Sequence, residues 1–208
     1  MTWPFGDLPM FGHRVILADP PWTFDAGGDR KASKHYPTMS TADIQALPVG
    51  HLAAPDCALI MWALDPMLDV AIETGKAWGF KFKTVHRYWA KRTKLDNGWH
   101  FGTGYGTRAN PEIALLFMNG SLGLPKDRGV RRLLISPLRE HSRKPDCIQT
   151  DIEKLYDGPY CEIFARARRK NWSSWGNDVD RFTDPSSPDT KKAAQAKARA
   201  ATPPSMFE

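Results

Sequence analysis

Cysteine is scarce in this chain: Cys57, Cys147 and Cys161 are far apart, odd in number and include no Cys-x-x-Cys pair. That pattern argues against a disulfide framework and against a thiolate zinc site, so packed thiols and no metal are expected. Long apolar runs are missing as well, so nothing in the sequence approaches the length needed to span a bilayer. The start, Met1-Thr2-Trp3-Pro4, has neither the basic beginning nor the apolar core of a signal peptide. A soluble, cytoplasmic protein with no membrane partner is the expectation. Beyond about Thr183 apolar residues thin out into Pro-Ser-Ser-Pro, a Lys/Ala/Gln tract and Thr-Pro-Pro-Ser. This stretch is too polar to pack and reads as a disordered basic tail over 183–208, leaving residues 1–182 as one domain with a single core.

Charge of one sign is unevenly placed. The formal net charge is +6. Segment 126–144 holds seven Lys and Arg against two acids, and segment 91–108 holds four against one, so the remainder of the body is slightly acidic. Clustered positive charge on loops suits a phosphate backbone, because each neutralised phosphate releases counterions. A solvated loop with no ligand would carry the same charges.

Val15-Ile16-Leu17-Ala18 reads as a buried strand, and Asp19-Pro20-Pro21-Trp22 sits where it must stop. Two prolines fix the turn and remove ladder donors, leaving carbonyls that point outward. The Asp19 carboxylate and a proline carbonyl can accept both hydrogens of an exocyclic amine while Trp22 offers a face to the attached base. A plain strand-end turn beside a half-buried Trp is the alternative.

The rest of the chain alternates. Ser40 or Thr41 can cap a helix through Leu47, and Cys57 to Trp62 is a second strand. Asp65-Pro66 opens a helix that Gly79 stops, Phe80 to Trp89 and Glu112 to Asn119 are strands, and Pro145 to Tyr156 is an amphipathic helix. Tyr160 to Ala165 and Trp172 to Gly176 close the set. Such alternation implies an α/β fold: a mainly parallel sheet, helices on both faces, and ligands at the carboxyl ends of the strands.

Two further constellations stand out. In His141-Ser142-Arg143-Lys144-Pro145-Asp146, at a helix start, Lys144 is a candidate for holding the carboxylate end of a small ligand, or is an ordinary solvated lysine. Glu162-Ile163-Phe164-Ala165-Arg166 and Trp175-Gly176-Asn177-Asp178 bring donors and acceptors to neighbouring strand ends, which fits a ribose and the edge of an adenine. Asn177 and Asp178 could equally form a plain turn.

Together these sites resemble the MT-A-seventy family, named for the seventy-kilodalton mRNA-adenosine methyltransferase subunit, in its short bacterial and phage branch. The matching pieces are Asp-Pro-Pro-Trp at 19–22, His35-Tyr36-Pro37-Thr38-Met39-Ser40, Gly104-Tyr105 with Arg108 and Glu112, and the motifs at 141–146, 162–166 and 175–177. They run in the family's order over roughly residues 14–178. The resemblance implies a Rossmann-like, permuted methyltransferase that takes a methyl group from S-adenosylmethionine to the N6 amine of adenine. Carried over, Asp19, Pro20, Pro21 and Trp22 form the catalytic motif. Lys144, Phe164, Arg166, Asn177 and Asp178 hold the cofactor, with Lys144 on its methionine carboxylate. Tyr36, Tyr105, Arg108 and Arg143 contact the substrate, and the loops 23–38 and 126–143 close over it. The family usually has Glu or Gln where this chain has Asp178.

DNA is the expected substrate. RNA is the second reading, and a catalytically silent nucleic-acid-binding subunit the third; a homodimer or heterodimer is left open. Intact Asp19-Pro20-Pro21-Trp22 together with Lys144 argues against the silent subunit.

Overall fold

A computed structural model describes residues 2–23, 38–102, 104, 106–140 and 142–182. Seven strands form one sheet: β1 (His13–Ala18), β2 (Ala53–Ala63), β3 (Lys81–Arg92), β4 (Pro111–Asn119), β5 (Leu133–Pro137), β6 (Tyr160–Ile163) and β7 (Trp172–Trp175), in the order β5-β3-β4-β2-β1-β6-β7. Among the described residues three α-helices accompany it: α1 (Thr41–Ala46), α2 (Leu68–Ala77) and α3 (Cys147–Leu155).

Strand alternation sorts the core onto two faces. Ile16, Ala18, Leu59, Met61, Leu115 and Phe117 pack with Ile44 of α1 and Ala71 of α2. Their sequence neighbours Val15, Leu17, Ala58, Ile60, Trp62 and Ala114 pack with Ile148, Ile152 and Leu155 of α3. The sheet is therefore covered on both sides, as the near-continuous apolar runs of β1 and β2 require.

Pairing is parallel for β1 with β2 and β6, for β6 with β7, and for β3 with β5. It is antiparallel where β4 meets β2 and β3. The sheet is thus mainly parallel, as the sequence implies, with one reversed strand inserted. Register decides what the parallel ends present. Ala18 lies beside Ile163, and Ile163 beside Trp175, so Asp19, Phe164 and Gly176 leave the sheet side by side.

Several boundaries differ from the sequence reading. β5 arises inside segment 126–143, read from sequence as a loop; it is a short edge strand, half exposed, that shows neither an apolar run nor clean alternation. Asp65-Pro66 forms a short 3-10 turn, and α2 begins only at Leu68. Pro145 precedes α3 rather than opening it, and accepts the Ile148 N–H. Ser40 caps α1, accepting from the Asp43 N–H at 3.1 Å. Cys57 and Cys161 are buried thiols as expected, whereas Cys147 is exposed because it heads α3 on the outer side. The tail 183–208 and most of loop 23–38 lie outside the described residues.

Candidate active site

The strand-end turn after β1 is closed locally: the Trp22 N–H donates to the Pro20 carbonyl at 2.8 Å, and the Met39 N–H to the Pro21 carbonyl at 3.1 Å. One lone pair on each carbonyl is used inside the protein, and each oxygen carries a second. Trp22 is 4% exposed and its indole N–H donates to the Trp62 carbonyl at 3.2 Å. Its ring is mainly a wall supporting the turn.

Asp19 stands where two cavities meet. The first, about 260 Å³, is lined by Asp19, Met39, Phe164, Arg166, Trp175, Asn177 and Asp178. The second, about 380 Å³, is lined by Asp19, Pro20, Trp22, Lys91, Glu112 and Lys144 among others. Asp19 and Arg166 belong to both.

In the first cavity Phe164 and Trp175 meet edge to face, with ring centroids 5.5 Å apart. Phe164 has φ 59°, a left-handed conformation that a bulky side chain rarely adopts and that concentrates at functional sites. Gly176 is required on other grounds: a β-carbon there would lie 2.7 Å from the Ala165 carbonyl oxygen. Asp178 pairs with Arg181 at 3.2 Å on the rim.

The second cavity holds an alternating row of charge. Lys91 Nζ is 2.7 Å from Glu112 Oε1, Lys144 Nζ is 3.4 Å from Glu112 Oε2 and 2.9 Å from Asp19 Oδ1, and Arg166 Nη2 is 3.8 Å from Asp19 Oδ2. The two ammonium groups also lie over indole rings, Lys144 over Trp62 and Lys91 over Trp89, each at 5.5 Å. Burial pulls the Lys144 ammonium down, but the Asp19 and Glu112 carboxylates more than offset it and hold it above the ordinary lysine value. Burial opposes ionisation of Glu112, yet Lys144 and Lys91 outweigh it and bring the carboxyl down to about 2. Lys144 is therefore a cation throughout the physiological range, a donor and not a base.

Behind this row, Glu162 accepts from Gln149 Nε2 at 3.1 Å. Burial pushes its carboxyl up to about 7, with the Gln149 hydrogen bond opposing and the nearby Asp19 charge adding.

The structure thus brings Asp19, Pro20, Pro21, Trp22, Lys144, Phe164, Arg166, Asn177 and Asp178 to two adjoining cavities. Lys144 lines the second cavity, beside the amine cup, and not the first. Arg143 is tied to Glu140 and Asp146 and stacks on Phe182, and Arg108 is exposed on the loop before β4; neither lines either of these two cavities. Tyr36 and Tyr105 lie outside the described residues. Glu112 and Lys91 were not assigned a role from sequence, although Glu112 is among the residues that match the family; a carboxylate at the start of the mostly apolar β4 was the available signal, and Lys91, in the charged strand β3, had none. Among the described residues no cluster of three or more His, Cys, Asp or Glu could hold a metal ion, and no helix is long and apolar enough to cross a membrane.

The family model MT-A70 matches residues 13–178. The type II methyltransferase M.MunI of a Mycoplasma species is 32% identical over 198 residues, covering 84% of this chain and 81% of that protein. The human N(6)-adenine-specific methyltransferase METTL4 is 29% identical over 84% of this chain but 40% of its own length. The N6-methyladenosine RNA methyltransferase MTA1 of Cryphonectria parasitica is 29% identical over 86% of this chain and 54% of its own length. This chain thus spans most of the first relative and about half or less of the other two.

Proposed function

The chain belongs to the MT-A70 family, and from that premise we propose that it methylates the N6 amine of adenine in DNA, with S-adenosylmethionine as donor. One observation carries the reading: the Asp19 carboxylate forms the wall shared by two cavities, one suited to a nucleoside cofactor and the other to a base.

The first cavity has the chemistry such a donor needs. Phe164 and Trp175 supply aromatic surface for its adenine, Asn177 and Asp178 supply polar edges for base and ribose, and Arg166 offers a cation to its carboxylate. Asp178 is shorter than the usual family residue and is engaged with Arg181, so Asn177 is the stronger ribose and adenine contact. When bound, S-adenosylmethionine supplies an electrophilic methyl on a sulfonium. Every other contribution comes from the chain.

Asp19 and the second lone pair of the Pro20 carbonyl accept the two amine hydrogens. That favours a pyramidal nitrogen whose lone pair is released from the ring. Asp19 also places negative charge where the amine becomes positive, and its fixed position makes that charge effective. Lys144, held protonated, orients Asp19 and leaves it as the acceptor nearest the departing amine proton. Glu112 fixes Lys144 in turn.

DNA is favoured over RNA by the type II methyltransferase relative, of which this chain covers 81%. On that reading the protein works in the cytoplasm. The RNA reading is supported by the MTA1 match. The test is transfer of tritiated methyl from S-adenosylmethionine to duplex DNA, single-stranded DNA and RNA in parallel, followed by nucleoside mass spectrometry. N6-methyladenine from DNA supports the proposal; product from RNA alone selects the second reading; no transfer despite cofactor binding points to a missing partner or an unusual substrate, and failure to bind S-adenosylmethionine in calorimetry selects the silent subunit.

A further inference from the structure

Between β3 and β4 the chain forms a tight hairpin, Arg92 bridging to Trp99 and Thr93 closing onto Gly98. Its apolar side chains face solvent: Leu95 is 82% exposed, Phe101 64% and Trp99 46%. The exposure is not the result of slack backbone. Arg92 Nε and Nη2 donate to the Asp96 carboxylate and carbonyl, both at 2.8 Å; Thr93 Oγ1 donates to Asn97 Oδ1 at 2.6 Å; and Asn110 Nδ2 donates to the Lys91 carbonyl at 3.0 Å. A firmly tied hairpin that holds two aromatic rings in water is a docking element whose partner is missing.

Three observations name the partner. The hairpin stands at the rim of the second cavity, since its Lys94 and His100 line that cavity together with Asp19. Its surroundings are basic, with Lys91, Arg92, Lys94 and Arg108 against Asp96. The Arg92 guanidinium lies over the Trp99 ring at 5.1 Å, and the residue is 46% exposed, so the indole is within reach of a second planar group. Exposed rings among cations, beside a pocket for an unstacked base, are the arrangement that binds single-stranded nucleic acid by stacking.

Resting on the adenine-methylation reading, we propose that the hairpin Arg92–Phe101 stacks the nucleotides beside the target adenine on Trp99 and Phe101 and so holds the strand open at the cavity. This makes Trp99 and Phe101 positioning residues for the strand and not for the amine. The chemistry is common to DNA and RNA, so both are probed.

The test measures binding of fluorescein-labelled, mixed-sequence single-stranded DNA, single-stranded RNA and duplex DNA by anisotropy over a salt series, with S-adenosylmethionine binding followed by calorimetry. Compared with wild type, the double variant W99A/F101A is expected to bind the single strand roughly tenfold or more weakly, with an unchanged salt slope and unchanged cofactor affinity. W99F is expected to bind within about twofold of wild type, because it keeps a ring. Single-strand affinity of W99A/F101A within twofold of wild type overturns the hairpin's role while leaving the methylation reading standing. So does a shift of the variant from dimer to monomer in sedimentation without loss of nucleic-acid binding, which would make the rings a protein interface. Failure of wild type to bind any of the three probes overturns the methylation reading and the hairpin proposal together.

Discussion

The Lys144 ammonium lies 2.9 Å from one oxygen of the Asp19 carboxylate and 3.0 Å from the other, although 125 residues separate the two in sequence. The strand-end turn after β1 and the approach to α3 therefore act as one unit. Their side chains are 14% and 17% exposed, sheltered enough that water does not screen the pair away. Removing Asp19 removes the acceptor for the amine and the charge that stabilises it. Asp19→Ala is expected to abolish detectable methyl transfer while leaving S-adenosylmethionine affinity within a few-fold, as a loss of roughly 10²–10³ or more in kcat implies. Retained turnover in that variant would remove Asp19 from the chemistry.

Lys144 gives a sharper discrimination. From sequence it is a ligand for the cofactor's carboxylate; in the structure it lines the amine-side cavity, between Asp19 and Glu112. Replacing it with Met is expected to lower kcat by roughly tenfold to a hundredfold through a mispositioned Asp19, with little change in cofactor affinity. Calorimetry decides: a tenfold weaker cofactor would return Lys144 to the carboxylate role. Because Glu112 acts through Lys144, Glu112→Gln in the K144M background should cost much less than in wild type.

Much of this site was legible because its motifs sit directly after apolar strands. Val15–Ala18 announces its own end, whereas β6 stops at Ile163, two residues before the Ala165 read from sequence; the polar residues that follow both are placed by register, not by long-range packing. Glu112 and Lys91 were harder to read. In an all-parallel sheet Glu112, at the start of its strand, would face away from the ligand end. β4 runs antiparallel to β2, and that reversal delivers Glu112 to Lys144. Strand direction depends on which neighbours pair, which the local pattern does not encode. β5 was missed for a related reason: Leu133 and Ile135 face solvent, so its pattern carries no core signature.

Trp22 separates packing from recognition. With its ring 4% exposed and its N–H on the Trp62 carbonyl, Trp22→Ala is expected to destabilise the fold by about 3–5 kcal/mol, seen as a lower urea midpoint. Trp22→Phe keeps most of the volume and should cost about 1–2 kcal/mol. A Trp22→Ala protein with wild-type stability and lost activity would instead make the ring a direct contact of the base.

Gly176 marks how closely β6 and β7 approach beyond their ladder. The Ala165 N–H donates to the Trp175 carbonyl at 2.9 Å, and a β-carbon on residue 176 would stand 2.7 and 2.8 Å from Ala165 backbone atoms. Backbone cannot swing aside as a side chain can, so Gly176→Ala must push the strand ends apart. Those ends carry Phe164, Arg166 and Asn177. The expected result is a protein that folds but binds S-adenosylmethionine at least tenfold more weakly; unchanged affinity in calorimetry would show that the first cavity tolerates the displacement.

The pH dependence of stability tests the buried acid behind the row. The Glu162 carboxyl, about 4.5 when unfolded, is raised to about 7 in the fold, chiefly by burial. Between those values the native state binds the proton more tightly than the unfolded chain does. The contribution of Glu162 is therefore fully present below pH 4.5 and is lost as pH rises through 7, an effect of up to about 3 kcal/mol. His86 works in the opposite sense over an overlapping range, because burial brings its imidazole down to about 3 and its protonation in the unfolded chain costs stability as pH falls below 6.5. The sum in wild type can be flat, so the informative quantity is a difference. Glu162→Gln keeps the shape and the hydrogen bond to Gln149 without the charge. Its stability relative to wild type should rise from about pH 4.5 to about pH 7 and level off above that in urea unfolding. A constant difference across that range would mean that Glu162 titrates near its ordinary value in the folded protein.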